Sequence, residues 1–207
     1  MDTTTETLLI TAAQQGDLDA FNQLVLSYQD MMYRIALRVI HDECSAEDAT
    51  QDAMILAFRN IRSFRGGNFK SWLARVTVNA SYDELRRGKR HLSMPLEQFT
   101  SEGDEIESPV WIKDMSAGPE ERAETSELRS VMHQCIKSLV PDYRLMVILV
   151  DMEGMSYEEA ARIAHVPVGT VKSRLARARM QIRGKMRAFN GLLPTTYQVD
   201  LMSSVPI

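Results

Sequence analysis

Cysteine is scarce in this chain: Cys44 and Cys135 are the only two among 207 residues, far apart and with no partner at metal-ligand spacing. That excludes a disulfide framework and a zinc knuckle. Each lies among apolar helical positions, so two buried thiols are expected. Histidine is equally thin, with His41, His91, His133 and His165 scattered along the chain. No glycine-rich phosphate loop, paired carboxylate site or nucleophile with its base accompanies them. An enzyme therefore has no footing, and no cofactor or metal is called for. No apolar run approaches the roughly 20 residues a membrane-crossing helix needs. The N-terminus also lacks the basic, apolar, small-residue order of a secretory signal, so no membrane insertion is expected and the cytoplasm is the default location.

What is present is an ordinary globular composition, 44% hydrophobic and 25% charged, in a chain long enough for one or two cored domains. The net charge of −4 looks unsuited to nucleic acid until it is resolved along the chain. Arg59 to Arg90 carries nine basic residues against Asp83 and Glu84, and Glu97 to Glu127 carries ten acidic residues against Lys113 and Arg122. Ser156 to Arg187 then carries eight basic residues against Glu158 and Glu159. Two basic blocks separated by an acidic one predict two nucleic-acid surfaces and a connector.

Met1 to Asp17 reads as a lead-in or a short docking helix. From Leu18 the apolar residues Phe21, Leu24, Val25, Tyr28, Met32, Ile35 and Val39 form a helical stripe over about six turns, interrupted at Asp42 and Glu43. Ser45, with Asp48 three residues on, predicts the cap of a further helix whose apolar side is Ala46, Ala49, Ala53, Leu56 and Ile61. Asp48, Gln51, Asp52 and Ile55 share another side, which spacing alone reads as a solvated face or a partner surface. A glycine-rich turn, Ser63 to Phe69, interleaves basic and aromatic residues. The helix after it has Phe69, Trp72, Leu73, Val76 and Ala80 inward. Cations beside aromatic rings suit single-stranded DNA, although Phe69 and Trp72 also suit a core. Leu92 to about Glu124 has prolines, glycines and the acidic surplus, and reads as an extended linker in which Val110-Trp111-Ile112 is a local apolar spot.

A second helical unit begins near Thr125, with Leu128, Val131, Met132, Cys135, Ile136 and Leu139 on one face. Pro141 opens a nearly all-apolar helix that Gly154 ends. Ser156 and Glu159 form a capping box, His165 sits at a turn, Pro167 stops any continuation, and a last helix starts at Gly169-Thr170. Val168, Val171, Leu175, Ala178, Ile182 and Met186 make its inner seam, while basic residues spread over the rest. A capped helix, a turn and a basic second helix are a helix-turn-helix, the device that sets one helix in a DNA major groove.

Asp48-Ala49-Thr50-Gln51-Asp52, Phe64 through Leu73, Asn79 and Asp83 through Arg87 resemble conserved region two of bacterial sigma factors. Leu139 to Arg183, with Asp151 through Glu159 and Val166 through Leu175, resembles region four. Direct passage between the two resembles the extracytoplasmic-function group. The resemblance implies an all-α fold: a region-two bundle and a region-four helix-turn-helix joined by an acidic flexible linker. The boundaries expected are 1–17 for a lead-in, 18–92 for region two, 93–124 for the linker, 125–187 for region four and 188–207 for a tail. It implies core RNA polymerase and promoter DNA, duplex and single-stranded, as partners, with an anti-sigma factor as the expected regulator. Asp48, Gln51 and Asp52 would contact polymerase. Phe64, Phe69, Lys70, Trp72, Arg75, Asn79, Arg86, Arg87, Lys89 and Arg90 would hold the minus-ten strand. Thr170, Lys172, Ser173, Arg174 and Arg177 would meet the minus-thirty-five element. The alternative is a helix-turn-helix regulator that acts without replacing the housekeeping sigma factor. His165 stands where the family often has glycine, and Ala160 and Ala164 replace bulkier residues.

Overall fold

Helix termini in this chain are written in its short polar residues and in its few left-handed positions. The computed structural model describes residues 2–92 and 130–187, the side chains of 89–92 excepted. The linker with Val110-Trp111-Ile112, residues 125–129 including Leu128, the 188–207 tail, and the side chains of Lys89 and Arg90 lie outside the described residues. Among those described, every regular element is helical.

The lead-in is a docking helix, α1 (Thr3–Gln14). Ala13 is buried, and Leu9 and Ile10 pack on the same core. The Tyr28 hydroxyl donates to Glu6 Oε1 at 2.5 Å. The stripe from Phe21 to Val39 is buried apart from a partly buried Tyr28, but on two helices, α2 (Leu18–Leu26) and α3 (Gln29–Ile40), with Leu18 exposed. The break falls at Ser27, whose hydroxyl donates to the Leu24 carbonyl, and at Tyr28, whose amide bonds to Val25 in a tightened last turn. Helix α4 (Glu43–Asn60) starts earlier than the Ser45 cap predicts. Asp42 is the cap, and its carboxylate accepts the Ser45 amide at 2.8 Å. That bond holds the Asp42 carboxyl below its ordinary range. Two further expectations fail on this helix. Leu56 is exposed rather than inward, and Cys44, two residues past the Asp42 cap in the first turn, is exposed while Cys135 is buried.

A short 3-10 turn, Ile61–Ser63, leads through the glycine loop into α5 (Phe69–Leu92). Gly66 and Gly67 both have φ above +90°, which a side chain would strain, so the loop needs both glycines. Thr77 and Ser81 are fully buried on α5 and satisfy their hydroxyls on carbonyls four residues back.

In the second unit α6 covers 130–137, and α7 (Pro141–Met146) starts with proline in its first turn, where the missing N–H costs nothing. Its continuation, Val147–Met152, widens into a π turn, with the Glu153 amide bonded to the Ile148 carbonyl. Gly154, at φ +69°, then reverses the chain. Helix α8 (Tyr157–Ala164) has the complete capping box: Ser156 Oγ accepts the Glu159 amide, and Glu159 accepts the Ser156 amide. His165 is left-handed at φ 54°, a conformation histidine tolerates better than most residues, and Pro167 caps α9 (Val168–Met186). Val171, Leu175, Ala178 and Met186 are buried, and Val168 and Ile182 pack partly against the core.

The two units are not separate bodies. A single buried cluster runs from Phe21, Ile35 and Leu73 into Met146, Ile148, Ile163 and Leu175. The polar seam around that core is where the functional residues gather.

Candidate nucleic-acid interface

Three surfaces carry the residues singled out above. On α4, Asp48 and Gln51 are exposed, and Ile55 is 49% exposed beside them. Asp52 is partly covered because Arg87, reaching across from α5, places Nη2 2.5 Å from its Oδ2 and Nε 3.3 Å from Glu84 Oε2. A shallow depression is lined by Asp48, Gln51, Asp52, Ile55, Glu84 and Arg87. Ile55 is thus an exposed aliphatic side chain set among acidic and amide groups. Arg87 therefore borders this acidic face, exposed and paired with two carboxylates as Arg86 is with one.

The second surface is the loop and the start of α5. Phe64 is buried, and Phe69 is 1% exposed. Their rings meet edge to face at 5.3 Å, and Phe69 stacks on Trp72 at 5.4 Å. The two phenylalanines are thus corrected from a base-stacking platform to the floor of the loop, packed on each other and on Trp72. Trp72 stays partly exposed on top of them. The loop is also tied from outside. Gln14, at the end of α1, donates its one amide nitrogen to the Ile61 and Phe64 carbonyls at 3.2 and 2.7 Å. Trp72, Arg75 and Asn79 follow at spacings of three and four, so they share a helix face, with Arg75 and Asn79 exposed. Arg86 is exposed and pairs with Asp83 at 2.6 Å.

Lys70 does not face solvent alone. Its Nζ donates to the Glu153 main-chain carbonyl at 2.5 Å, bridging α5 to the second unit. Nearby, Asn68 and Ser71 donate to Glu159 Oε1 at 2.7 and 2.6 Å. Burial pushes the Glu159 carboxyl up, but the bonds from Ser71, from the Ser156 amide and from Asn68 outweigh it and leave the group below its ordinary value. Glu153 itself has a side chain only 3% exposed, held by Arg34 Nη2 at 3.2 Å and Arg38 Nη1 at 2.9 Å. Burial draws the Arg38 guanidinium down and Glu153 opposes it. Arg34, Arg38, Glu153 and Gln14 escaped the sequence reading. The sequence signal was slight: two arginines four apart on one helix, which spacing alone reads as a solvated face.

The third surface is α9. Ser173 and Arg177 are exposed, with Arg177 Nη1 3.5 Å from the Tyr143 hydroxyl. Lys172 Nζ lies 5.9 Å over the Tyr157 ring at the start of α8, a cation–π contact. The Ser173 hydroxyl donates to the Thr170 carbonyl, leaving its lone pairs outward, and Thr170 is half-buried. Arg174 is tied back to Asp142 at 2.6 Å, and Arg179 grips Asp151 with Nη2 at 2.5 Å and Nε at 3.2 Å. Lys172, Ser173 and Arg177 are the outward set on this helix; Arg174 is partly spent on α7. Among the described residues no group of His, Cys, Asp or Glu could hold a metal, and no helix is long and apolar enough to cross a membrane.

Comparison with known proteins agrees with this two-part layout. Residues 24–91 match the Sigma-70 region 2 family and residues 129–182 match Sigma-70, region 4. The RNA polymerase sigma-H factor of Pseudomonas aeruginosa is 38% identical over 177 residues, covering 84% of this chain and 90% of that protein. The ECF RNA polymerase sigma-E factor of Escherichia coli K12 is 37% identical over 185 residues, covering 88% and 95%. Among solved structures, the sigma factor RpoE in complex with the anti-sigma factor NepR from Bartonella quintana is 27% identical, with TM-score 0.63, and covers 82% of this chain and 98% of that one. CnrH in complex with the cytosolic domain of CnrY has the same fold, at 23% identity and TM-score 0.63 over 89% and 98%. A free-standing helix-turn-helix regulator has no use for the first of the two matched regions. With both regions in order and relatives aligned nearly end to end, the chain belongs to the sigma-70 family of RNA polymerase sigma factors, in its extracytoplasmic-function group.

Proposed function

We propose that this sigma factor joins core RNA polymerase through the α4 face of Asp48, Gln51, Asp52 and Ile55, and reads a promoter with two hands. The minus-ten strand, once melted, lies along Trp72, Arg75 and Asn79, with Lys70 and Arg86 on its phosphates. The side chains of Lys89 and Arg90 belong to the same group by sequence. Helix α9 enters the major groove of the minus-thirty-five element, with Lys172, Ser173 and Arg177 outward and Thr170 and Arg174 at the edges. Phosphate contacts position the protein, and contacts to base edges select the sequence. Extracting a base from the stack costs a few kcal/mol, which explains the need for a stiff loop over a packed aromatic floor. The protein binds and melts rather than catalyses, and it works in the cytoplasm with the polymerase. Control by an anti-sigma factor is the natural counterpart, since the similar RpoE is held by NepR.

The observation that carries this reading is the split of charge over three surfaces: an acidic-aliphatic face on α4, and basic faces on α5 and α9. Purified bacterial core polymerase and a promoter library test it. Transcripts that start only when this protein is added support the reading. Tight binding of duplex DNA by the protein alone, with no initiation by core, sinks it in favour of a regulator.

A further inference from the structure

Arg34 and Arg38, one turn apart on α3, close on the same carboxylate. Arg34 Nη2 is 3.2 Å from Glu153 Oε2, and Arg38 Nη1 is 2.9 Å from Oε1. Lys70, from α5, adds its Nζ to the carbonyl of that same residue at 2.5 Å. Three cations of the first unit thus surround one residue of the second. Asn68 and Ser71 extend the row, both donating to Glu159 Oε1. Among the described residues, every ion pair made by Arg34 or Arg38 is with Glu153. If the two units part, Arg34 and Arg38 lose the counter-charge they have among the described residues, and each disfavours the other's charge. A guanidinium pair is shaped for a planar carboxylate or for phosphate oxygens, and phosphate is the anion that a promoter strand brings to Lys70. Arg34 and Arg38 are 37% and 23% exposed, so the clasp opens onto the surface rather than lying sealed in the core.

We propose that Arg34, Arg38 and Lys70 form an exchangeable anion clasp, filled by Glu153 when the two units are closed and by a backbone phosphate of the single promoter strand when they open. Glu153 then acts as a stand-in for DNA, and Arg34 and Arg38 extend the strand-binding surface from α5 onto α3. This rests on the assignment of the Lys70 surface to the melted strand.

The test uses the full chain and a fluorescein-labelled, random-sequence single-stranded DNA of about 20 nucleotides, because phosphate contacts are indifferent to sequence. Anisotropy titrations over roughly 50–200 mM salt give an affinity and a salt slope, and each single-strand phosphate neutralised contributes about 0.7 to that slope. Glu153→Gln frees the clasp and should bind the strand more tightly than wild type. Adding R34Q and R38Q to that variant should weaken binding and flatten the slope by about 1.4, for two lost contacts. Built on Glu153→Gln, that triple variant leaves no buried charge unpaired, so it keeps its fold. R34K with R38K, on the same background, should keep the slope. The opposite signs on the two sides of one ion pair are what a purely structural bridge does not produce. Unchanged affinity in Glu153→Gln, or a triple variant with the slope of Glu153→Gln, overturns the clasp. If the slopes behave as expected but core polymerase never initiates, the anion clasp stands as a single-strand site and its promoter occupant falls with the proposed function; initiation without a slope change sinks the clasp alone.

Discussion

Arg87 Nη2, towards the end of α5, lies 2.5 Å from Oδ2 of Asp52 on α4, 35 positions earlier in the chain. A cation that the sequence assigns to DNA is thereby joined to a carboxylate assigned to polymerase, and the two surfaces share an edge. The charge reversal Asp52→Arg should abolish binding to core polymerase and leave the far-ultraviolet circular dichroism intact. Pairing it with Arg87→Asp rebuilds the intramolecular bridge, yet core binding should stay lost. Recovery in the double variant would mean that the bridge, and not the carboxylate, makes the contact.

Gln14 holds the loop from a helix that precedes the matched region-two segment. Gln14→Ala removes two partly buried hydrogen bonds and should cost about 1–2 kcal/mol in chemical denaturation. It should also blur minus-ten preference in a promoter library. Gln14→Glu, which sets an acceptor against two carbonyls, should be worse on both counts. A loss of stability with unchanged preference would limit Gln14 to holding the fold.

Phe69 and Trp72 separate packing from binding. Phe69→Ala should cost about 3–5 kcal/mol because it empties a fully buried aromatic site. Phe69→Leu should retain the fold and the affinity for single-stranded DNA. Trp72→Ala, at the ring that stays partly exposed, should lower that affinity. Equal loss in Phe69→Leu and Trp72→Ala would return Phe69 to the strand contact.

His41, left-handed at φ 66° at the end of α3, carries a pH dependence. Arg144 Nη1 sits 2.5 Å from its Nε2, and since a guanidinium only donates, Nε2 must be unprotonated. Burial, then Arg144, Lys137 and His133, push the imidazole down to about 4. Between about 6.5 and about 4 the unfolded chain holds a proton at His41 that the folded one refuses, so stability falls as pH falls through that window. His41→Asn, which tolerates the left-handed backbone, should remove that component of the melting temperature between pH 7 and 5. A wild-type melting temperature flat over that range would refute the assignment.

Where sequence and structure agree, a short-range rule was enough. Ser156 and Glu159 cap α8 because a capping box needs only four residues, and the α9 seam follows from spacings of three and four. Where they part, the cause lies at long range. The α4 start moved to Asp42 because either of two nearby polar residues could cap, and the break at Ser27 leaves a continuous stripe unchanged. Phe64 and Phe69 look like a base platform in one dimension, and only the Tyr28 and Trp72 rings set against them, with their burial, show a floor. Glu153 was unreadable as a site because its partners Arg34 and Arg38 lie more than a hundred residues away.

The central claim is that this chain opens promoters only together with core polymerase. Permanganate reactivity of thymines in the minus-ten element of a promoter recovered from the library measures that directly. Reactive thymines should appear when core and this protein are both present, vanish when either is omitted, and diminish with Arg177→Ala on promoters that depend on the upstream element. Protection of intact duplex by the protein alone, with core added and no reactive thymines at any promoter, would contradict the account.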